Sequence, residues 1–375
     1  MNKKIHIVSF DVPYPANYGG AIDVYYKLKY LKEQQVSVCL HCFEYGRGKQ
    51  KILESVCDKV YYYPRKTGLF SQFSLWPYIV KSRISETLIQ NLLNDQSPIL
   101  FEGMHTLGIG LDNRLRDRKK IYRESNIEHQ YYYHLAKSEN NILKKLFFNI
   151  ESIRLKWFEK RIINFDTVLA VSKADYNYFK KKYPAIDTIY LPSFHPNLTI
   201  TTKIGLGTFA LYSGNLSVAE NENAVLFLLN KVFSRIDYPF VVAGLNPSKR
   251  LTKKIAEMPH VELRSNLSDK AMTELVESAQ INILWTFQAT GLKLKLLSSL
   301  FQGRHCIVND NMVHGTGLNT LCSIANTTEE LINTISDLKD KKFVQDQINQ
   351  RQIILNQLYN NQQNLNTLIK FIDNS

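Results

Sequence analysis

Lys293 and Lys295 alternate with leucines in the run FQATGLKLKLLSSLFQGR, residues 287–304, just behind a Thr-Gly pair. Read with period two the run is a half-buried strand. Read with period 3.6, Leu292, Leu296, Leu297 and Leu300 share one helical face. Gln302-Gly303-Arg304 ends the element and HCIVND reads as the next strand, so a helix over 291–301 completes a β-α-β unit, with Thr290 as N-cap and Lys293 in the first turn. A cation there opposes the helix dipole by about 0.3 to 1 kcal/mol, and a bound anion reverses that sign. Gly291, Leu292 and Lys293 therefore read as a diphosphate cradle, with Lys293 pairing a phosphate oxygen and Lys295 pointing away. The competing reading is that Lys293 simply reaches solvent.

Other polar groups gather at predicted strand ends. Gly19 and Gly20 close the loop DVPYPANYGGAID behind the first strand, where a backbone without Cβ lets a ligand approach; a plain tight turn explains the pair equally well. Gly214 with Asn215, and Gly244, occupy similar turns further along. FEGMHT brings Glu102 and His105 to the end of one strand, and RESNIEHQ brings Glu124, Asn126, Glu128 and His129 to the end of another. Groups leaving the carboxyl ends of neighbouring strands converge on one edge, where a substrate belongs. Asp23, Glu102, Asn126 and Glu128 form the polar substrate-side set, and His105 and His129 are each either substrate contacts or structural histidines. No G-x-G-x-x-G follows the first strand, and Walker A and H-E-x-x-H motifs are absent, which argues against a dinucleotide cofactor and a metal site.

The elements carrying these groups form two series. KIHIVSF, VSVCLHCF, KVYYYP, PILFEGM, KKIYRES, DTVLAVS and TIYLPS are short apolar runs separated by helix-length intervals, and TFALYSG, PFVVAG, VELRSN, INILWTF and HCIVND repeat the rhythm. Two doubly wound α/β domains with parallel sheets follow, residues 1–195 and 196–349, meeting near the proline-interrupted LPSFHPNLTITTK. The polar helical stretch beyond Asn326 ends in a segment, 350–375, free to return to the first domain.

Charge is unevenly spread. Of 47 Lys and Arg and 34 Asp and Glu, the first 200 residues hold 30 and 19, so most of the excess cation lies in the first half. Such a face suits an anionic membrane surface or substrate, while nucleic acid is disfavoured because no recognisable binding module accompanies the bases. Residues 65–83, with Phe70, Phe73, Trp76 and Tyr78 between Arg65, Lys66, Lys81 and Arg83, suit an anionic interface, and KKLFFNIESIRLKWFEKR reads as a core stripe with a basic outer face. Five cysteines, an odd number, fit a reducing cytoplasm, and Cys39 and Cys42 in VSVCLHCF read as strand packing. No apolar run is long enough to span a bilayer.

PYPANYGGAIDVYYKLKYL, SNIEHQYY, VLAVSKAD, LYSGNLSVAENENAV, VVAG and TGLKLKLLSSLFQGR, in this order, resemble the GT-B glycosyltransferases of the broad family 4 group. The resemblance implies two Rossmann-like domains facing across a cleft, with a C-terminal helix crossing back to the first. It implies a nucleotide-sugar donor held mainly by the second domain and a glycan or lipid-linked acceptor mainly by the first. It also implies metal-independent transfer with retention, no cofactor, and action at the cytoplasmic face of a membrane. Lys293 would then stabilise the leaving diphosphate, His105 or His129 would position sugar or acceptor, and the Gly19-Gly20 loop would lie beside the diphosphate. The sequence departs from the group at two points. Thr290 and Ser298 stand where many members carry glutamates, and Asn215 stands where many carry a phosphate-binding arginine. A nucleotide-sugar epimerase of the same fold and a non-catalytic GT-B protein are the competing readings.

Overall fold

The structure is a computed structural model that describes residues 3–68, 74–139, 141–289 and 293–373. Its described residues divide into two compact units, one of residues 3–196 and 359–373, the other of residues 197–289 and 293–358.

The first unit is built on seven parallel strands: β1 (Lys4–Ser9), β2 (Ser37–Glu44), β3 (Lys59–Pro64), β4 (Ile99–Glu102), β5 (Lys120–Arg123), β6 (Thr167–Ala170) and β7 (Asp187–Tyr190), in the order β3-β2-β1-β4-β5-β6-β7. Helices and loops cover both faces, which is why strands such as ILFE and TVLA are buried at every position. One face packs Phe43, Phe101, Tyr122 and Phe165. The other packs Ile5, Ile7, Val38 and Leu100 against α1 (Gly19–Glu33), and the chain's final helix contributes Leu365, Leu368 and Ile372 to the same cluster. Cys39 and Cys42 are both buried, and a spacing of three along β2 turns them to opposite faces, so they cannot share a ligand.

Two further helices, α2 (Glu128–Ser138) and α3 (Ile142–Phe158), pack side by side over residues 76–80. This arrangement gives two of the four aromatics expected at an interface over 65–83 a place in the fold. Trp76 packs against Phe158 and Tyr78 against Phe147, with centroids 5.3 and 6.1 Å apart, because the helix pair needs an apolar floor. Phe70 and Phe73 lie outside the described residues.

The second unit repeats the plan with six parallel strands: β8 (Ala210–Asn215), β9 (Phe240–Leu245), β10 (Val261–Ser265), β11 (Ile281–Leu284), β12 (His305–Val308) and the two-residue β13 (Ser323–Ile324), ordered β10-β9-β8-β11-β12-β13. Gly214 and Gly244 are register partners at the ends of β8 and β9. A Cβ on Gly244 would sit 1.8 Å from the Gly214 carbonyl oxygen, a backbone atom that cannot yield without parting the strands. Gly244→Ala is therefore expected to destabilise the protein by more than about 2 kcal/mol, read from its urea midpoint; a midpoint like wild type would contradict this close approach.

The helix after β11 corrects the sequence reading. Helix α5 spans Leu294–Gln302; Lys293 is its N-cap residue with extended backbone, and its carbonyl accepts from the Leu296 amide at 2.8 Å. Its buried stripe is Leu294, Leu296, Leu297, Leu300 and Phe301. The first-turn cation is thus Lys295, not Lys293, because regular helix begins where this stripe begins. Thr290, Gly291 and Leu292 lie outside the described residues. Helix α4 (Ala219–Phe227) follows β8.

Candidate functional site

Strand order reverses between β1 and β4 in the first sheet and between β8 and β11 in the second. At such a point successive crossover helices leave on opposite faces, opening a crevice at the carboxyl ends of the strands. A polar cluster sits there in each unit.

In the second unit, α4 leaves β8 through Gly214 and Asn215. The Asn215 carboxamide accepts from the Ser217 amide and hydroxyl at 3.1 and 2.8 Å, closing its own turn. Glu220 lies in the first turn of α4, and the Thr286 hydroxyl, just past β11, donates to it. Facing this carboxylate are Lys293 and Lys295. Lys295 Nζ stands 4.9 Å over the Tyr212 ring and 3.5 Å from both Tyr212 Oη and Asn221 Oδ1. Burial pulls its pKa down to about 8; Glu220 opposes that shift and Lys293 adds to it. Burial likewise lowers Lys293, again opposed by Glu220. Neither lysine has a carboxylate within 4 Å among the described residues, so two half-buried cations answer to one more distant anion.

Two further groups there lack partners. Gln288 is buried to 1 % exposure with neither Oε1 nor Nε2 hydrogen-bonded, and Trp285 Nε1 is also unpaired among the described residues. Buried polar atoms without partners cost free energy that a ligand can recover. Ser298 sits half-buried on α5.

In the first unit, His105 stacks on Phe10 with ring centroids 4.9 Å apart, and its Nδ1 has no hydrogen-bond partner. Burial first, then the cations Arg83 and Arg65, hold it well below the usual histidine range, so it is neutral at pH 7. Gly20 and Gly103 complete the wall: a Cβ on Gly20 would lie 2.5 Å from the Phe10 ring, and one on Gly103, at φ 70°, would lie 2.9 Å from His105 Nδ1. Gly19 opens α1 with nothing within 4 Å of its Cβ position. Arg83 donates to the Phe10 carbonyl at 2.8 Å and lies near Glu128 as well. Burial raises Glu128 to about 8 against hydrogen bonds from Ser125 and Asn126, which makes it a proton donor at neutral pH. His105, Asn126, Glu128 and the Gly19-Gly20 loop are therefore grouped around Phe10 and Arg83.

Asp23, Glu102 and His129 are placed differently from that expectation. Asp23 accepts from Arg123 Nε at 3.0 Å, Lys27 Nζ at 3.3 Å and the Phe194 amide at 2.7 Å, and Glu102 accepts from Lys27 at 2.5 Å. All four charged groups are buried, so neither carboxylate faces a ligand; two anions inside a sheet–helix layer need two cations. His129 turns into the helix packing, with Nε2 at 2.9 Å from Tyr178 Oη and 3.5 Å from Glu159.

No family model matches the chain. An uncharacterised 44.6 kDa protein in the cps region of Klebsiella pneumoniae is 29% identical over 338 residues, covering 84% of this chain and 85% of that protein. Among solved structures, sucrose-phosphate synthase from Thermosynechococcus elongatus superimposes with a TM-score of 0.70 at 11% identity, covering 100% of this chain and 99% of that one. Anabaena Alr3699/HepE, in complex with UDP and glucose, gives 0.66 at 12% with full coverage of both. A point mutant of S. aureus TarM, in a complex that includes UDP, gives 0.67 at 9% with 99% of each chain covered.

The chain has the GT-B fold. In this GT-B chain each sheet has a polar cluster at its reversal point, at the carboxyl ends of the strands. Lys293 and Gly214 were legible from their turns as candidates for the second unit's cluster. Lys295, Glu220, Tyr212, Asn221, Thr286 and Gln288 were not, since they meet only once β8 and β11 are side by side. Glu220 carried one usable signal, an acid in the first turn of the helix after β8.

Proposed function

We propose that this protein is a glycosyltransferase that moves a sugar from a nucleotide-sugar donor to a glycan or lipid-linked acceptor. Retention of configuration and metal-independent chemistry belong to the same proposal. The observation that carries it is the pair of under-neutralised lysines at the start of α5, facing Glu220 at the reversal point of the second sheet. A nucleoside diphosphate would supply the missing negative charge. Its terminal phosphate gains charge as the glycosidic bond breaks, so Lys293 and Lys295 would stabilise the transition state more than the bound donor. In this reading two ammonium groups supply the charge neutralisation that a divalent cation can provide in other phosphate sites. The Glu220 carboxylate would keep both lysines protonated and aimed, and the Gln288 carboxamide would meet the nucleotide or sugar. The UDP complexes of TarM and of Alr3699/HepE support the donor class. On the acceptor side, neutral His105 with its free Nδ1 and the protonated Glu128 would bind sugar hydroxyls.

Calorimetric titration with UDP, GDP and ADP tests the reading, and binding of none of them would contradict it. Incubation of a bound nucleotide-sugar with and without acceptor then separates transfer from epimerisation, since an epimer formed without acceptor would replace this proposal. The lysines also set a pH dependence. Lys295 must be protonated to hold phosphate, and its free-state pKa is about 8. Affinity is therefore expected to be level below pH 7 and to fall by up to about tenfold per unit above pH 8, until the raised pKa of the complex is passed. The slope is read from titrations between pH 6.5 and about 9.5, inside the range where the lysine changes charge. A flat profile would remove Lys295 from the site.

A further inference from the structure

Helix α3 carries an apolar face that nothing among the described residues covers. Ile142, Leu146, Ile150, Ile153 and Trp157 recur at helical spacing and are all exposed, Ile142 at 81%, Ile153 at 63% and Trp157 at 73%. Leu143 and, just beyond the helix, Ile163 extend the exposed stripe. At 100° per residue the five line an arc of about 80°, the width of one face of a surface helix. The opposite face is the packed one: Phe147 meets Tyr78, Phe148 meets Tyr132, and Phe158 meets Trp76. The helix is thus apolar on both sides, one side serving the fold and the other facing outward.

The charges around the stripe select its partner. Between residues 141 and 164 every exposed charged side chain is a cation: Lys144, Lys145, Lys156, Lys160 and Arg161. The two carboxylates in that span are buried and partnered, Glu151 by Arg154 and the Tyr78 amide, Glu159 by Lys182, Tyr178 and Tyr183. Lys160 Nζ lies 5.5 Å over the Trp157 ring, which places a cation beside an indole at one end of the stripe. An aliphatic band ending in Trp and bordered only by cations matches the boundary of an anionic bilayer, where rings and aliphatic chains enter the headgroup layer and ammonium groups meet phosphate. A second copy of this chain fits less well, because an isologous contact would set these lysines against their own images.

We propose that the exposed face of α3 is a docking surface for an anionic lipid bilayer. It is a different segment from the 65–83 stretch, whose described aromatics are spent on the fold, and it stands independently of the transferase reading. Tyr132 links the two: it packs on Phe148 of α3 and neighbours Glu128, so a docked α3 brings the first unit's polar pocket close to the headgroups.

The test is sedimentation of the full chain with vesicles of phosphatidylcholine alone and of phosphatidylcholine with phosphatidylglycerol. Wild type is expected to bind the anionic vesicles, to release as salt is raised, and to ignore the neutral ones. Ile153→Asp/Trp157→Asp and Lys156→Glu/Lys160→Glu should each weaken partitioning by about tenfold or more. All four positions are exposed, and unchanged far-ultraviolet circular dichroism would show the variants folded. Brominated lipid should quench tryptophan emission in wild type and much less in Trp157→Phe. Equal binding to neutral and anionic vesicles, undiminished binding by the folded stripe variant, or quenching that survives Trp157→Phe would each overturn the proposal. So would a dimer that only the stripe variant dissolves, in a protein that leaves vesicles untouched.

Discussion

Lys295→Met is expected to bind nucleoside diphosphate about 10- to 150-fold more weakly than wild type while remaining at least as stable. The loss corresponds to about 1.5 to 3 kcal/mol, the usual worth of a hydrogen bond to a charged group. The stability half follows from the sign of the pKa shift. A lysine held below its ordinary value is worse solvated in the folded state than in the unfolded chain, so its charge opposes folding at pH 7. Methionine keeps the aliphatic stem over Tyr212 and removes that charge. A residue whose removal costs affinity and not stability is one retained for its ligand. Lys293→Met should behave the same way, and the double variant should lose less than the sum of the two, because the lysines share Glu220. Paired calorimetric and urea titrations check both halves. A variant that unfolds early and binds normally would reassign Lys295 to the fold.

Arg123→Met is expected to do the opposite, lowering unfolding free energy by about 3 to 5 kcal/mol, because it leaves two buried carboxylates, Asp23 and Glu102, to share the single cation Lys27. Arg123 Nε donates to Asp23 at 3.0 Å, and its Nη1 donates to the Leu191 carbonyl. Asp23 in turn accepts from the Phe194 amide at 2.7 Å. Sheet, α1 and the segment leading out of β7 are thus pinned at one point. Arg123 and Lys27 hold Asp23 below the ordinary carboxylate range despite burial, so its contribution is present at neutral pH and is lost as pH falls through that lowered pKa. A urea midpoint within about 0.5 kcal/mol of wild type would show that the network is not a structural keystone.

Every long strand was legible, because a buried parallel strand leaves a continuous apolar run such as KIHIVS or FVVAGL between turns. The two-residue β13 carried too little pattern to read. Helix α5 was legible in type and not in start: leucines fix its face, while Lys293 has the same helical propensity inside the first turn as outside it. The acidic residues were read less well. Asp23 and Lys27 stand four apart on α1, a spacing that looks like a solvent pair, and only the tertiary structure reveals that Glu102 and Arg123 close a buried quartet around them. His129 likewise could not be separated from His105 by sequence, since each follows a strand; one stacks in the crevice and the other bonds Tyr178. Periodicity assigned the aromatics of α3 to a core without showing that Trp157 and its aliphatic residues form a second, outward face.

Chemical footprinting locates the diphosphate most directly. Lys295, with a pKa of about 8, is a stronger nucleophile near pH 8 than an ordinary lysine, and Lys293 shares the direction of that shift. Acylation at that pH, followed by mass spectrometry, should label both. A donor site at the start of α5 predicts that a saturating nucleoside diphosphate protects Lys293 and Lys295 and leaves exposed lysines such as Lys144 and Lys156 labelled as before. Nucleotide bound with both lysines still labelled would place the phosphates elsewhere and contradict the site.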